Sequence, residues 1–308
     1  MLFRSLVLIF IAFSINISYG NDLFDEGLQK RLKAFENLCK SKEVKKIYED
    51  KERPNRLLLI DATDPLNEAQ IQYLKDNYIK GVNWQDEGEK FSIVVLNSKP
   101  ISELDRITMC SPKPEDKIGW FDAKNKAQKL IKLYQQTLEE AFDIMVRSSK
   151  EADSTRLVET LYQIYTNKRF DFLEGDRKLL IASDLLQKST EINLYCKGSC
   201  PTFQQTYNTK KQWFDLTKLQ LRDSDVVEIY YLQAKCRVNF ATLTWWQDYF
   251  LKEGVKPENI FALAENNNTN QFCTGTVKEH KAIGESGTPG PIIGNKPRNG
   301  ISGFTSVR

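Results

Sequence analysis

Five oxygen-bearing residues stand where short apolar runs end or begin. Asp61 and Thr63 follow the run Arg56–Ile60, and Ser183 and Asp184 follow Lys178–Ala182. Thr155 opens a periodic apolar stretch, Ser154–Tyr165. Two carboxylates with two or three hydroxyls make a hard oxygen donor set, suited to Mg²⁺, Mn²⁺ or Ca²⁺. The plainer role for these residues is helix capping, because Asp, Ser and Thr at strand-to-helix turns satisfy free amides. Ser154 or Thr155 is expected as the N-cap of the helix that follows, and for Thr155 the capping and ligand roles can both hold. Histidine acid–base chemistry is not expected, since the single histidine, His280, lies near the C-terminus.

The elements that must position these residues alternate in type. Leu28, Leu32, Phe35 and Leu38 recur at the helical period within Asp22–Glu52. Arg56–Ile60, Phe91–Leu96, Lys178–Ala182 and Val226–Leu232 are short, apolar and bounded by polar residues, which predicts buried strands. Between and after them, Asn67–Ile79, Lys124–Met145, Ser154–Tyr165, Gln212–Leu219 and Phe240–Lys252 are expected as helices, the last closed by Gly254. Pro100–Asp116, with Pro112 and Pro114, is expected as a loop carrying Cys110. Strands alternating with helices predict an α/β fold: a mostly parallel sheet with helices on both faces. In such sheets, sites form beyond the carboxyl ends of the strands, where the five residues fall. Trp245, Trp246, Tyr249 and Phe250 on the last helix are expected to pack against the sheet. Lys124, Lys126, Lys129 and Lys132 are expected on a solvated helix face.

The first twenty residues carry an early Arg4, an apolar run from Leu6 to Phe13 and small residues before Gly20. That pattern is a secretion signal, with the cut expected after Gly20. The apolar run is shorter than the roughly 20 residues of a spanning helix, and membrane contact is expected only if the segment stays uncut. The chain is therefore expected to be exported, periplasmic or secreted. Export gives meaning to its six cysteines: Cys39, Cys110, Cys196, Cys200, Cys236 and Cys273 are disulfide candidates, expected to pin long loops. Cys196 and Cys200 could instead be half of a zinc site, although one histidine and no second close cysteine pair favour disulfides. With 44 Lys and Arg against 41 Asp and Glu, a formal charge of +3 gives no electrostatic case for nucleic acid. From Glu265 onward Gly, Pro, Asn and Ser dominate, and a flexible tail is expected. The expected organisation is a signal at 1–20, a helical segment at 21–55, an α/β domain at 56–264 and a tail at 265–308.

Three stretches together resemble a von Willebrand factor A-type domain. Asp61-Ala-Thr63-Asp-Pro65 resembles the turn Asp-x-Ser-x-Ser after the first strand. Thr155-Arg-Leu157-Val-Glu-Thr-Leu161 resembles the threonine that opens a later helix. Leu179-Leu-Ile-Ala-Ser-Asp184 resembles the aspartate after a later strand. The resemblance spans about Arg56 to Gly254 and implies a doubly wound sheet with Asp61, Thr63, Thr155 and Asp184 as ligands of a Mg or Mn ion. Such domains bind protein partners, the metal keeping an open position for a partner's acidic residue. Pro65 stands where the family has its second serine, so one hydroxyl ligand is absent and the adhesion-type metal site is incomplete. Asp64 is expected to point away from it.

The resemblance implies an exported, non-enzymatic interaction module whose partner is another envelope or secreted protein. Two alternatives remain at this level. One is a metal-dependent hydrolase, phosphatase-like, with Asp61 as nucleophile. The other is a metal-free scaffold.

Overall fold

A computed structural model describes residues 23–80, 87–113, 121–195, 200–232 and 240–264, with backbone alone at 121–124, 240 and 262–264. The segment expected as a signal, the expected tail with His280, and Cys196, Cys236 and Cys273 lie outside the described residues, as does the Lys124 side chain.

The chain opens with helices α1 (Glu26–Cys39) and α2 (Lys42–Ile47), capped by the side chains of Asp25 and Ser41. Strand β1 (Pro54–Asp61) follows, then α3 (Glu68–Leu74), whose last turn widens into a π-helical turn, Lys75–Ile79. Next come β2 (Lys90–Leu96), β3 (Asp105–Cys110), α4 (Phe121–Arg147), α5 (Leu157–Thr166) and β4 (Asp176–Ser183). The last elements are α6 (Phe203–Thr209), α7 (Lys211–Leu216), β5 (Val226–Tyr231), α8 (Phe240–Lys252) and β6 (Ile260–Ala264).

The strands form one six-stranded sheet in the order β3-β2-β1-β4-β5-β6. Only the β2–β3 pairing is antiparallel. Successive side chains of a strand point to opposite faces, so β1 feeds two cores at once. Leu57 and Leu59 join the layer with α5, α6, α7 and α8, while Leu58 and Ile60 join the layer with α1, α3 and α4. Helices therefore cover both faces, which is why the central strands are apolar throughout.

The expected aromatic packing holds. Trp245, Trp246, Tyr249 and Phe250 are buried, with Trp245 edge-on to Phe203 at 5.2 Å. Gly254 closes α8 with φ at 103°, a conformation that favours glycine. Lys126, Lys129 and Lys132 are exposed.

Three local expectations need correction. The loop expected at Pro100–Asp116 contains strand β3. Ile107 and Met109 are buried and alternate with half-buried Arg106 and Thr108, a period-2 pattern. Pro112 lies beyond the strand rather than within it. Helix α6 precedes the expected Gln212–Leu219 helix, started by a capping box between Thr202 and Gln205. Helix α5 begins at Leu157, and neither Ser154 nor Thr155 caps it.

Cys39, at the end of α1, is disulfide-bonded to Cys110, at the end of β3. Cys200 is also disulfide-bonded. The first bridge closes a loop of 71 residues and fastens α1 against the antiparallel edge of the sheet. Replacing both Cys39 and Cys110 by serine is expected to lower unfolding free energy by about 2–4 kcal/mol in urea titrations. Peptide mapping without reductant is expected to recover the Cys39–Cys110 pair.

Candidate functional site

Strands β1 and β4 are parallel neighbours, with Ile60 opposite Ala182. Their connections leave in opposite directions, β1 toward β2 and β4 toward β5. This reversal opens a crevice beyond the strand ends, the place where open α/β sheets bind ligands. Asp61 and Ser183 are the last residues of the two strands and therefore sit side by side at its floor.

The side chains are knitted together. Asp61 Oδ1 accepts from the Thr63 amide at 3.1 Å and the Thr63 hydroxyl at 2.6 Å. Asp61 Oδ2 accepts from the Ser183 hydroxyl at 2.7 Å. Thr63 Oγ1 lies 2.9 Å from Thr155 Oγ1. A hydroxyl has one proton and two lone pairs. With its proton on Asp61, Thr63 can accept from Thr155, whose hydroxyl also hydrogen-bonds the Tyr195 side chain. Both threonine oxygens keep a lone pair for a cation.

Thr155 reaches this position because other groups replace it as a cap. The first-turn amide of Val158 donates to the buried Gln187 side chain at 3.1 Å. The Thr155 carbonyl accepts from the Lys188 amide at 2.7 Å, and the Ala152 amide donates to the Thr63 carbonyl at 2.9 Å. Asp61 does not cap a helix either, since Asn67 and Gln70 form the capping box of α3. Asp184 serves its own turn, with Oδ1 accepting from the Leu186 amide at 2.9 Å.

That turn is unusual. Leu185 has φ at 61°, the left-handed region that non-glycine residues seldom occupy. Its side chain is buried, and its carbonyl accepts from the Trp246 indole at 2.9 Å. The aromatic helix α8 thus holds the turn that presents Asp184.

Burial pushes the Asp61 carboxyl above the ordinary range, opposed by its bonds to Thr63 and Ser183. Burial raises Asp184 to about 7, and the charge of Asp61 adds to the effect. No described Lys or Arg forms an ion pair with Asp61 or Asp184. Asp64 is half-buried, and its charge adds to the upward push on both carboxyls. Its charge therefore acts on the site.

Sequence reasoning also passed over two tyrosines. Burial and the charge of Asp184 raise Tyr195 to about 12 and push Tyr231 up as well. The register could have found Tyr231, because it pairs with Ser183 at the same sheet edge.

The donor set suits a divalent cation in its chemistry. Two close carboxylates want a positive charge, and the two threonine hydroxyls are hard oxygen donors. Pro65 contributes no hydroxyl. Among the described residues no group of three or more His, Cys, Asp or Glu is placed to hold a metal. An ion here would rest on the hydroxyls as much as on the carboxylates.

No family model matches the chain, and no curated protein matches it. Loose likeness to solved structures exists. The pilus adhesin SpaC from Lactobacillus rhamnosus GG, in its open conformation, aligns with 68% of the chain at 12% identity and a TM-score of 0.36. Human COPII-coat protein Sec24c aligns with 70% at 10% identity and 0.32. The three N-terminal domains of the type V pili tip protein Mfa5 from Porphyromonas gingivalis align with 69% at 9% identity and 0.27. The chain spans 28%, 30% and 42% of those chains, respectively. None reaches a TM-score of 0.5, so the site has to be judged on its own geometry. Fold and site together define an α/β protein with a carboxylate–hydroxyl cluster at the switch point of its sheet.

Proposed function

We propose that this chain is an exported protein-interaction module with a von Willebrand A-like, doubly wound domain. It engages a partner at the carboxyl edge of the sheet and performs no turnover. One observation carries the proposal: Asp61, Thr63, Thr155 and Asp184 come from three separate chain segments and meet in one crevice. Strand order, with a single antiparallel edge strand, supports the same domain type.

Asp61, Thr63, Thr155 and Asp184 would hold a Mg or Mn ion. Bound there, the ion supplies positive charge that attracts an oxygen of the partner, such as a carboxylate. The partner is another envelope or secreted protein. Export is supported by the signal-like N-terminus and by the Cys39–Cys110 bridge, because disulfides persist in oxidising compartments. Among the described residues no helix is long and apolar enough to cross a membrane.

A phosphatase using Asp61 as nucleophile is less favoured. Asp61 is 5% exposed, and both its oxygens already accept hydrogen bonds.

Thermal unfolding with added Mg²⁺ or Mn²⁺ tests the metal. At about 100 times its dissociation constant an ion adds about 2.7 kcal/mol. That gain is expected for the native chain and is expected to vanish in Asp61→Ala and Asp184→Ala. Absence of any gain at millimolar metal would leave a metal-free scaffold. Both variants are also expected to lose a partner captured from envelope extracts.

A further inference from the structure

A short strap after β4 is clasped to the crevice at Thr155. The Leu194 amide donates to the Gln187 carbonyl at 2.8 Å, and the Ser189 amide to the Ile192 carbonyl at 2.8 Å, closing a narrow hairpin. Lys188 of that hairpin bridges to both Thr155 and Asn193, and its amide donates to the Thr155 carbonyl at 2.7 Å. The buried Gln187 side chain holds the first turn of α5, accepting from the Val158 amide at 3.1 Å and donating to Glu159 at 2.9 Å.

The strap ends on Tyr195, whose amide donates to the Asn193 side chain at 2.9 Å. Lys188 Nζ lies 5.9 Å over the Tyr195 ring. The ring is half-buried, and the phenol hydrogen-bonds the Thr155 hydroxyl. One strap therefore fixes the Thr155 backbone and brings a phenol to its side chain.

Counting protons gives that bond a direction. A carboxylate only accepts, and each hydroxyl has one proton and two lone pairs. Asp61 must be ionised to hold a cation. The Thr63 proton then goes to Asp61 across 2.6 Å, and the Thr155 proton to Thr63 across 2.9 Å. With that proton used, the phenol has to be the donor to Thr155. The protons run one way, from Tyr195 through Thr155 and Thr63 to Asp61. Each threonine oxygen then accepts one bond and keeps one lone pair.

We propose that Tyr195 is a positioning residue of the metal site. By donating to Thr155 it holds that hydroxyl's proton on Thr63 and leaves a lone pair for a divalent cation. Tyr195 does not itself touch the ion. This role rests on the metal site proposed above.

Calorimetric titration of Mn²⁺ into native protein, Tyr195→Phe, Thr155→Val and the double variant tests it. Tyr195→Phe is expected to bind Mn²⁺ about tenfold more weakly, as groups that orient a metal ligand do. In the Thr155→Val background the same change is expected to add no loss, because Tyr195 acts through that hydroxyl. In a Thr155→Ser background, which keeps the hydroxyl, the tenfold loss is expected to persist. Urea unfolding of the four proteins in chelator reads the bond without metal, and the two single losses are expected to be less than additive. Native binding of Mn²⁺ with equal affinity in Tyr195→Phe would overturn the role of Tyr195 alone. So would a tenfold loss that persists in the Thr155→Val background, or strictly additive losses in chelator. If native protein binds no Mn²⁺, the metal site itself fails and the role of Tyr195 falls with it.

Discussion

Replacing Asp225 by alanine is expected to cost about 3–5 kcal/mol of stability, because it strands a buried arginine. Arg177 and Asp225 are 2% and 0% exposed at their side chains. Arg177 Nε donates to Asp225 Oδ1 at 2.8 Å, and its Nη2 donates to Asp225 Oδ2 and, at 2.8 Å, to the Gln220 carbonyl. The Arg222 amide adds a bond to Asp225 Oδ2 at 2.7 Å. The guanidinium also lies 5.2 Å over the Tyr165 ring. These bonds join the start of β4 to the turn before β5. Arg177→Met combined with Asp225→Leu is expected to cost far less than Asp225→Ala alone, since no charge is then left unpaired. Urea unfolding of the native chain, both single variants and the pair gives the coupling directly. A loss under about 1 kcal/mol for Asp225→Ala would mean the arginine finds water or another partner.

The second large effect is a dependence of stability on pH with an unusual sign. Asp184 has its folded pKa raised to about 7, and Asp61 is raised as well. An unfolded aspartate titrates near 3.9. Between those values the native state holds protons that the unfolded chain releases. Stability from the neutral carboxyls is therefore complete below about pH 4 and is lost as pH rises through 7. For Asp184 the loss is on the order of 4 kcal/mol. In chelator, Tm is expected to fall between about pH 4 and 7, and Asp184→Asn is expected to flatten that slope. Mg²⁺ or Mn²⁺ competes with these protons, so its stabilisation is expected to be large near pH 8 and small near pH 5. An Asp184→Asn curve parallel to the native one would assign the slope to other groups.

Local signals served well where one residue's neighbours along the chain decide its fate. The apolar runs at Arg56–Ile60 and Lys178–Ala182 lie within strands β1 and β4, and Asp61 and Asp184 stand at or just beyond their ends. Strand β3 was obscured by the prolines that flank it, although the alternation of Ile107 and Met109 was present in the sequence. Strand β6, Ile260–Ala264, was not singled out because it is short and precedes the polar tail. The failed cap at Thr155 has a different origin. Its local pattern fits an N-cap, but Gln187, distant in sequence, takes the first-turn amide. Side chains at that separation compete only once the chain is folded.

By itself the sequence determined the α/β class, the mostly parallel sheet, and the oxygen-rich residues at the strand ends. It could do so because burial on both faces imposes an unbroken apolar run, and turns impose short polar residues. Only the tertiary structure decided how those oxygens are used. It linked Asp61 to Ser183 and Thr63 to Thr155, drew the charge of Asp64 into the crevice, brought Tyr231 to its edge, and bridged Cys39 to Cys110. The physical reason is that hydrogen bonds, disulfides and charge coupling depend on distances in space, and strand pairing sets those distances between residues far apart in the chain.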